Sequence, residues 1–381
     1  MSSDRIPLVL VFTDWYLPGY KAGGPISSIS NLVDAFGDRF KFRIVCGDRD
    51  YLDTQPYPNV ESGKWLSIGK AEVFYLNQDS HKYDAVKRLI RAENPDTVYI
   101  NGIFSRVFSI FPLRAAKRLK KRTVVAPRGM LAPTALGIKS TKKDLFLSLA
   151  NGLGLYRKVI FHATNDHEAE HIKMAITGKL NVVEIPNVPK LPLSINQKSK
   201  TKGYLKILVV ARIAPEKNIE FALECLCKLP THLQVDVEFI GPVYDQVYFA
   251  KCKEMESKIP ANVKIVWTGA RTPPEIPGYL DRAHLFFLPT LGENFGHAIL
   301  EAMLSGTPVL ISDRTPWRNL EEKALGRDAD LKLMEAFTDF IAMLAVMDGD
   351  TYSTRYGAVA KRALELVDLP HIGKGYKKLF G

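Results

Sequence analysis

The strongest constraint on the fold is an alternation of strand-like and helix-like segments that runs along the chain twice. In the first run, residues 8–13, 42–46, 73–76, 97–101, 123–127, 159–163 and 182–185 read as strands, short and rich in β-branched and aromatic residues. Helical patterns separate most of them, at 25–36, 82–93 and 165–176. A stretch with Pro186, Pro189 and Pro192 and a polar run after it reads as a linker. The alternation then restarts: strands at 205–210, 235–240, 263–267, 285–288 and 309–311, helices at 219–229, 246–258 and 296–305. Strands alternating with helices specify parallel sheets of the α/β class. The expectation is two doubly wound domains, over 1–187 and 204–365, with a linker at 188–203. A tail over 366–381 is placed to pack back on the first domain. After Pro316 helices are expected to fill the remainder, with Gly326–Asp330 running into one.

Composition closes off other classes. With 46% hydrophobic and 24% charged residues the chain is neither disordered nor a multi-span membrane protein. Four cysteines in 381 residues exclude a disulfide scaffold, and Cys225 and Cys227 lack the second pair that a zinc site needs. The first apolar run, Ile6 to Phe12, lies between Asp4 and Asp14 and suits a strand rather than a secretion signal. The expected location is the cytoplasm.

The net charge of +11 is unevenly placed. Residues 101–200 hold 18 Lys and Arg against 5 Asp and Glu, so the rest of the chain is slightly acidic. Arg114, Lys117, Arg118 and Lys121 fall at i, i+3, i+4 and i+7, one stripe on a helix. That stripe is either a solvated face, a contact for anionic lipid headgroups, or a nucleic-acid contact. Close behind lies the apolar run 145–155, flanked by Lys139, Lys142 and Lys143 and by Arg157 and Lys158. It suits either an interfacial segment or a core helix ending at Gly152.

Chemistry concentrates in the second domain. Arg212 and Lys217 follow a strand and precede a helix, where free amides and the helix dipole already favour anions. Two cations there suit a diphosphate, Arg as a fork and Lys as a point charge. Glu293 falls in the loop after strand 285–288, and Glu301 falls in the following helix. Carboxylates suit the paired hydroxyls of a ribose or sugar, and the amides of Asn294, Phe295 and Gly296 lie between them. In the first domain, Gly23 and Gly24 precede Pro25; they either let backbone approach a ligand or make a tight turn.

These motifs, in this order, resemble the family 4 glycosyltransferases, retaining enzymes with the GT-B fold of two Rossmann-like domains facing a cleft. The resemblance rests on Arg212 with Lys217, on Glu293 and Glu301 around Phe295-Gly296, and on the glycine-rich first loop. It implies that Arg212 and Lys217 bind the donor diphosphate, that Glu301 binds the ribose, and that Glu293 with residues 294–296 holds the donor sugar. Gly241, Gly269, Ala270 and Arg271 would flank the base, and Gly23 and Gly24 would approach the phosphates. It thus implies a nucleoside-diphosphate sugar donor and a glycan or lipid-linked acceptor; the basic stripe adds the expectation of a place on the inner face of an anionic membrane.

The chain departs from the family where many members carry a first-domain histidine. The corresponding strand end reads Ala126-Pro127-Arg128-Gly129, leaving Arg128 and His162 as acceptor-side candidates and no general base assigned. Asp48-Arg49-Asp50 follows a strand as a metal-binding pair would, but Arg212 and Lys217 already supply leaving-group charge. No metal or other cofactor is therefore expected. A nucleotide-sugar epimerase or phosphorylase would use the same donor residues. A basic nucleic-acid-binding protein would leave Glu293 and Glu301 without a purpose.

Overall fold

The computed structural model describes residues 5–137, 140–192, 195–196 and 198–381. Lys139 of the cationic flank and Leu193, Ser194 and Gln197 of the linker lie outside the described residues. The chain divides into two units, Met1–Val188 with Leu369–Gly381, and Pro189–Asp368.

The first unit is built on eight strands: β1 (Leu8–Thr13), β2 (Lys41–Gly47), β3 (Trp65–Ile68), β4 (Ala71–Leu76), β5 (Thr97–Asn101), β6 (Arg122–Ala126), β7 (Ile160–Ala163) and β8 (Asn181–Glu184). Their order is β3-β4-β2-β1-β5-β6-β7-β8. Every pair is parallel except β3 with β4. β1 is buried along its whole length, as a central strand covered on both faces must be. β3 is absent from the sequence expectation, because an antiparallel edge strand after a polar loop carries no crossover helix to announce it.

The last helix, Leu369–Phe380, belongs to this unit. Phe380 packs its ring on Phe40, Phe42 and Tyr99, and Tyr376 packs on Phe36 and His162. Arg122 donates to the carbonyls of Lys378 and Leu379, satisfying acceptors that a helix end leaves free.

The second unit holds β9 (Tyr204–Val210), β10 (Gln234–Ile240), β11 (Val263–Gly269), β12 (Leu285–Leu288), β13 (Val309–Ser312) and β14 (Gly326–Ala329). They form one parallel sheet in the order β11-β10-β9-β12-β13-β14. This is the doubly wound order whose strand sequence reverses beside the first strand, so loops after β9 and β12 flank the point where such sheets bind ligands. β14 corrects the helical expectation for this stretch. Its sequence is polar, but Gly326, at φ 138°, lets it lie against β13 where a Cβ would stand 1.8 Å from the carbonyl oxygen of Val309. Among the described residues no helix is long and apolar enough to cross a membrane.

The cationic stripe also needs correction. Its helix, Phe111–Arg118, ends before Lys121, and Lys120 turns the chain at positive φ. Leu113 and Ala116 are buried in the core and Arg114, Lys117 and Arg118 are exposed. Lys121 instead donates to Asn94 Oδ1 at 2.6 Å. The apolar run 145–155 is helical as far as Gly152 and uses both faces. Leu147 and Ala150 are buried, while Leu145, Leu149 and Leu153 remain exposed.

Candidate active site at the edge of the second sheet

β9 delivers the chain to Ala211 and Arg212, and a single helical turn, Pro215–Lys217, follows. Asn218 then takes a left-handed conformation, which Asn tolerates better than most residues, and the helix Ile219–Cys227 begins. The Asn218 amide donates to the carbonyl of Pro289, at the end of β12, over 3.0 Å. Thr290, wholly buried, donates through its hydroxyl to the Glu216 carbonyl, and the Leu291 amide donates to the same oxygen. The loops after β9 and β12 are thereby stitched together.

Across this seam Lys217 Nζ is ion-paired with Glu293 Oε1, both side chains being largely shielded from water. Arg212 pairs with Glu216 at 3.1 Å and lies over the Tyr244 ring, 4.6 Å from its centroid. Each cation of the expected diphosphate site is thus already held against a carboxylate. Charge neutralisation keeps the two cations close to one strand end without mutual repulsion.

The loop carrying Glu293 is held from a third side. The Glu293 amide donates to the Arg314 carbonyl, and the Trp317 indole donates to the Phe295 carbonyl at 2.6 Å. Gly296 caps the helix His297–Leu304 at φ 76°. A Cβ there would press within 2.9 Å of Ile299 and 3.2 Å of the Trp317 nitrogen. Phe295 packs between the rings of His297 and Trp317. Glu301 lies in the second turn of that helix. Burial raises its carboxyl pKa to about 7, against a smaller opposing effect from Lys190. An acid so placed exists in both forms near neutrality, and its ionised form is a strong acceptor for hydroxyl donors.

Gly241, at the end of β10, sits where a Cβ would meet the Ala211 carbonyl at 1.9 Å, so the chain passes close behind the β9 loop. Gly269, at φ 74°, ends β11 and borders open space. Arg271 next to it donates to the Tyr279 hydroxyl at 3.0 Å.

In the first unit Gly23 has φ 69° and also borders open space, and Gly24 opens the helix Gly24–Phe36. Arg128 spreads its guanidinium over three side chains: Asn101 Oδ1 at 2.7 Å, Asn187 Oδ1 at 2.5 Å and the Tyr99 hydroxyl at 2.7 Å. Tyr99 continues the chain to His162 Nδ1, and His162 Nε2 meets the Ile185 carbonyl. That carbonyl can only accept, so Nε2 carries the proton and Nδ1 accepts from Tyr99. Burial, and then the charge of Arg128, push the His162 pKa down to about 3. His162 is therefore a neutral core residue with no exposed surface, a correction to its acceptor-side reading. Arg128 stays half-buried at the strand end.

The Asp48–Asp50 pair is occupied locally. Asp48 accepts from Arg49, and Asp50 accepts from the backbone amides of Tyr20, Lys21 and Tyr51. Among the described residues no cluster of three His, Cys, Asp or Glu side chains could hold a metal ion.

Thr290, Asn218, Tyr244, Trp317 and Lys190 escaped the sequence reading. Asn218 alone left a local sign, a residue tolerant of left-handed backbone between two helical patterns. The others act through contacts distant in sequence.

Comparisons with known proteins bear on the fold and on the second unit. Residues 193–324 match the family described as glycosyl transferases group 1. No curated protein matches the chain. Anabaena HepE, solved in complex with UDP and glucose, aligns at TM-score 0.63 and 16% identity, over 94% of this chain and 99% of its own. The sucrose-phosphate synthase from Thermosynechococcus elongatus aligns at 0.64 and 15%, over 99% of each chain. WaaG, a glycosyltransferase involved in lipopolysaccharide biosynthesis, aligns at 0.64 and 13%, over 98% of each. Likeness at such identities speaks for the fold, and the family match speaks for the second unit that carries Arg212, Lys217, Glu293 and Glu301. With two parallel-sheet α/β units and these neighbours, the chain has the GT-B fold, and its second unit carries the match to glycosyl transferases group 1.

Proposed function

We propose that this enzyme moves a sugar from a nucleoside-diphosphate donor to a hydroxyl of a glycan or lipid-linked acceptor. In this reading it retains anomeric configuration, needs no metal or other cofactor, and works in cell-surface polysaccharide synthesis at an anionic membrane. The observation that carries the proposal is the Lys217–Glu293 pair beside Arg212 at the reversal point of the second sheet, with Glu301 one helix turn further in. HepE, crystallised with UDP-glucose, has the same fold, and WaaG, involved in lipopolysaccharide biosynthesis, supports a cell-surface role.

The chemistry follows from charge. As the bond from the anomeric carbon to the diphosphate oxygen breaks, negative charge grows on the leaving group. In this reading Lys217, Arg212 and the amides of residues 294–296 stabilise it, and Glu293 is released from Lys217 to hold the sugar hydroxyls. Glu301 accepts from the ribose hydroxyls. The acceptor oxygen bonds to the anomeric carbon on the face that the diphosphate leaves. Its proton passes to the departing phosphate oxygen, so no protein base is required. Arg128, just past the end of β6, remains the acceptor-side candidate.

The test is a thermal-shift screen of nucleotide-sugars, followed by turnover with an acceptor and determination of the product's anomeric configuration. A donor that stabilises wild type but not Glu301→Ala, with a retained anomer, supports the proposal. Donor conversion that needs no acceptor would make the enzyme an epimerase or a hydrolase of its donor, and an inverted product would overturn the mechanism.

A further inference from the structure

The exposed leucines and unpaired arginines of the first unit meet at one place. Between the helices Tyr83–Glu93, Phe111–Arg118 and Ser140–Gly152 lies a groove of ≈ 460 Å³. Its walls are the Tyr83 ring, Phe146, Leu149 and Leu153, and Arg114 and Arg118 stand at its rim. Leu149 and Leu153 are 57% and 82% exposed, and with Leu145, 63% exposed, they recur at every fourth residue as an apolar stripe. A soluble surface rarely leaves so many large leucines together without an occupant.

The charges at the rim differ in kind. Lys117 donates to the carbonyls of Gly154 and Leu155, closing the end of the leucine-bearing segment, so its ammonium serves the groove's floor. Arg114 lies over the Tyr83 ring, and neither it nor Arg118 has a carboxylate partner among the described residues. An apolar trough with two uncompensated guanidiniums at its mouth is complementary to an anionic amphiphile: hydrocarbon along the leucines, phosphate at the arginines.

We propose that this groove binds a single anionic lipid molecule by its tail, with the phosphate held by Arg114 and Arg118. The proposal deepens the membrane part of the function above, because the bilayer supplies the lipid, and it is independent of the donor site. Flat docking needs only charge on the surface. A tail-binding groove also requires shape and the leucines, and works on a lipid monomer.

The experiment measures binding of dodecyl phosphate, below its critical micelle concentration, by titration calorimetry. Inorganic phosphate and a neutral dodecyl maltoside serve as headgroup-only and tail-only probes. Wild type is compared with Leu149→Asn/Leu153→Asn and with Arg114→Ala/Arg118→Ala, changes at exposed side chains whose folding is checked by thermal melts. The expected result is saturable binding of dodecyl phosphate at one site, weakened about tenfold or more in each double variant, with far weaker binding of either control. Absence of monomer binding, or binding indifferent to the leucines, overturns the proposal. If the monomer fails while phosphatidylglycerol vesicles still bind, the groove falls and flat docking stands. If the monomer binds and vesicles do not, the groove stands and the membrane location falls. Concentration-dependent dimerisation lost in Leu149→Asn/Leu153→Asn would assign the groove to a second copy of the chain and overturn the lipid.

Discussion

Lys217 and Glu293 are joined by an ion pair although they lie on different loops, and neither loop is free to move away from the other. Asn218 and Thr290 tie the two together on one side, and the amide of Glu293 is tied to Arg314 on the other. Under the proposed function, a donor diphosphate would have to compete with Glu293 for Lys217 within this frame. Lys217→Met should lower kcat by about two to three orders of magnitude, the usual cost of losing one charge donor to a leaving group. Steady-state kinetics with a saturating donor measure this, and unchanged kcat would remove Lys217 from the reaction.

Glu301 predicts a pH dependence. With a pKa raised to about 7, its carboxylate is lost as the pH falls through neutrality. Nucleotide affinity should weaken below that point, approaching about tenfold per pH unit, and Glu301→Gln should flatten the profile. The effect on stability has the opposite sign. A carboxyl raised by burial binds its proton more tightly in the folded state, so stability falls as the pH rises from the ordinary glutamate range through about 7. Glu301→Gln should thus melt higher than wild type at pH values above 7 and show little difference in acid. Melting curves without ligand across that range check it.

Two glycines at neighbouring strand ends separate space from backbone conformation. Gly241→Ala drives a Cβ into the Ala211 carbonyl, whereas Gly269→Ala meets nothing within 4 Å. The second should cost about 1–2 kcal/mol, the penalty for left-handed backbone. The first should cost several kcal/mol, because rigid main chain must shift. Denaturant titrations of both variants give the comparison.

Metal dependence is tested by chelation. Activity should persist in excess chelator, and Asp50→Ala should act through stability, since Asp50 holds three backbone amides. Full loss of activity in chelator, restored by manganese, would give Asp48 and Asp50 a metal instead.

Vesicle sedimentation should rank the basic residues by their freedom. Arg114→Ala/Arg118→Ala should lose about 2 kcal/mol of affinity for anionic vesicles, and the loss should shrink with added salt. Lys121→Ala should lose less, because Lys121 is spent on Asn94.

Both sheets were legible because parallel strands buried on two faces are written as short β-branched runs separated by helical periods. The loop bearing Glu293 was legible for the same reason, since it must follow β12 and precede a helix. Gly326–Ala329 was not, because a glycine followed by Arg, Asp and Ala has no strand character. What makes it a strand is its close approach to Val309, from a different part of the chain. The clamp on Glu293 was hidden likewise: Trp317 and Thr290 act through single hydrogen bonds to distant main chain. Helical spacing placed Arg114, Lys117 and Arg118 on one face but carried the stripe one turn too far, past the end of the helix at Arg118.

The return of the final helix to the first unit sets an order of assembly during translation. The second unit is continuous from Pro189 to Asp368 and leaves the ribosome whole, while the first still lacks Leu369–Phe380. The aromatic surface of Phe40, Phe42 and Tyr99 that Phe380 covers must therefore wait for that ring until the second unit has been made. The usual N-terminal-first order is reversed in completion. A nascent chain stalled before Leu369 presents that surface to chaperones and to its neighbours on the polysome.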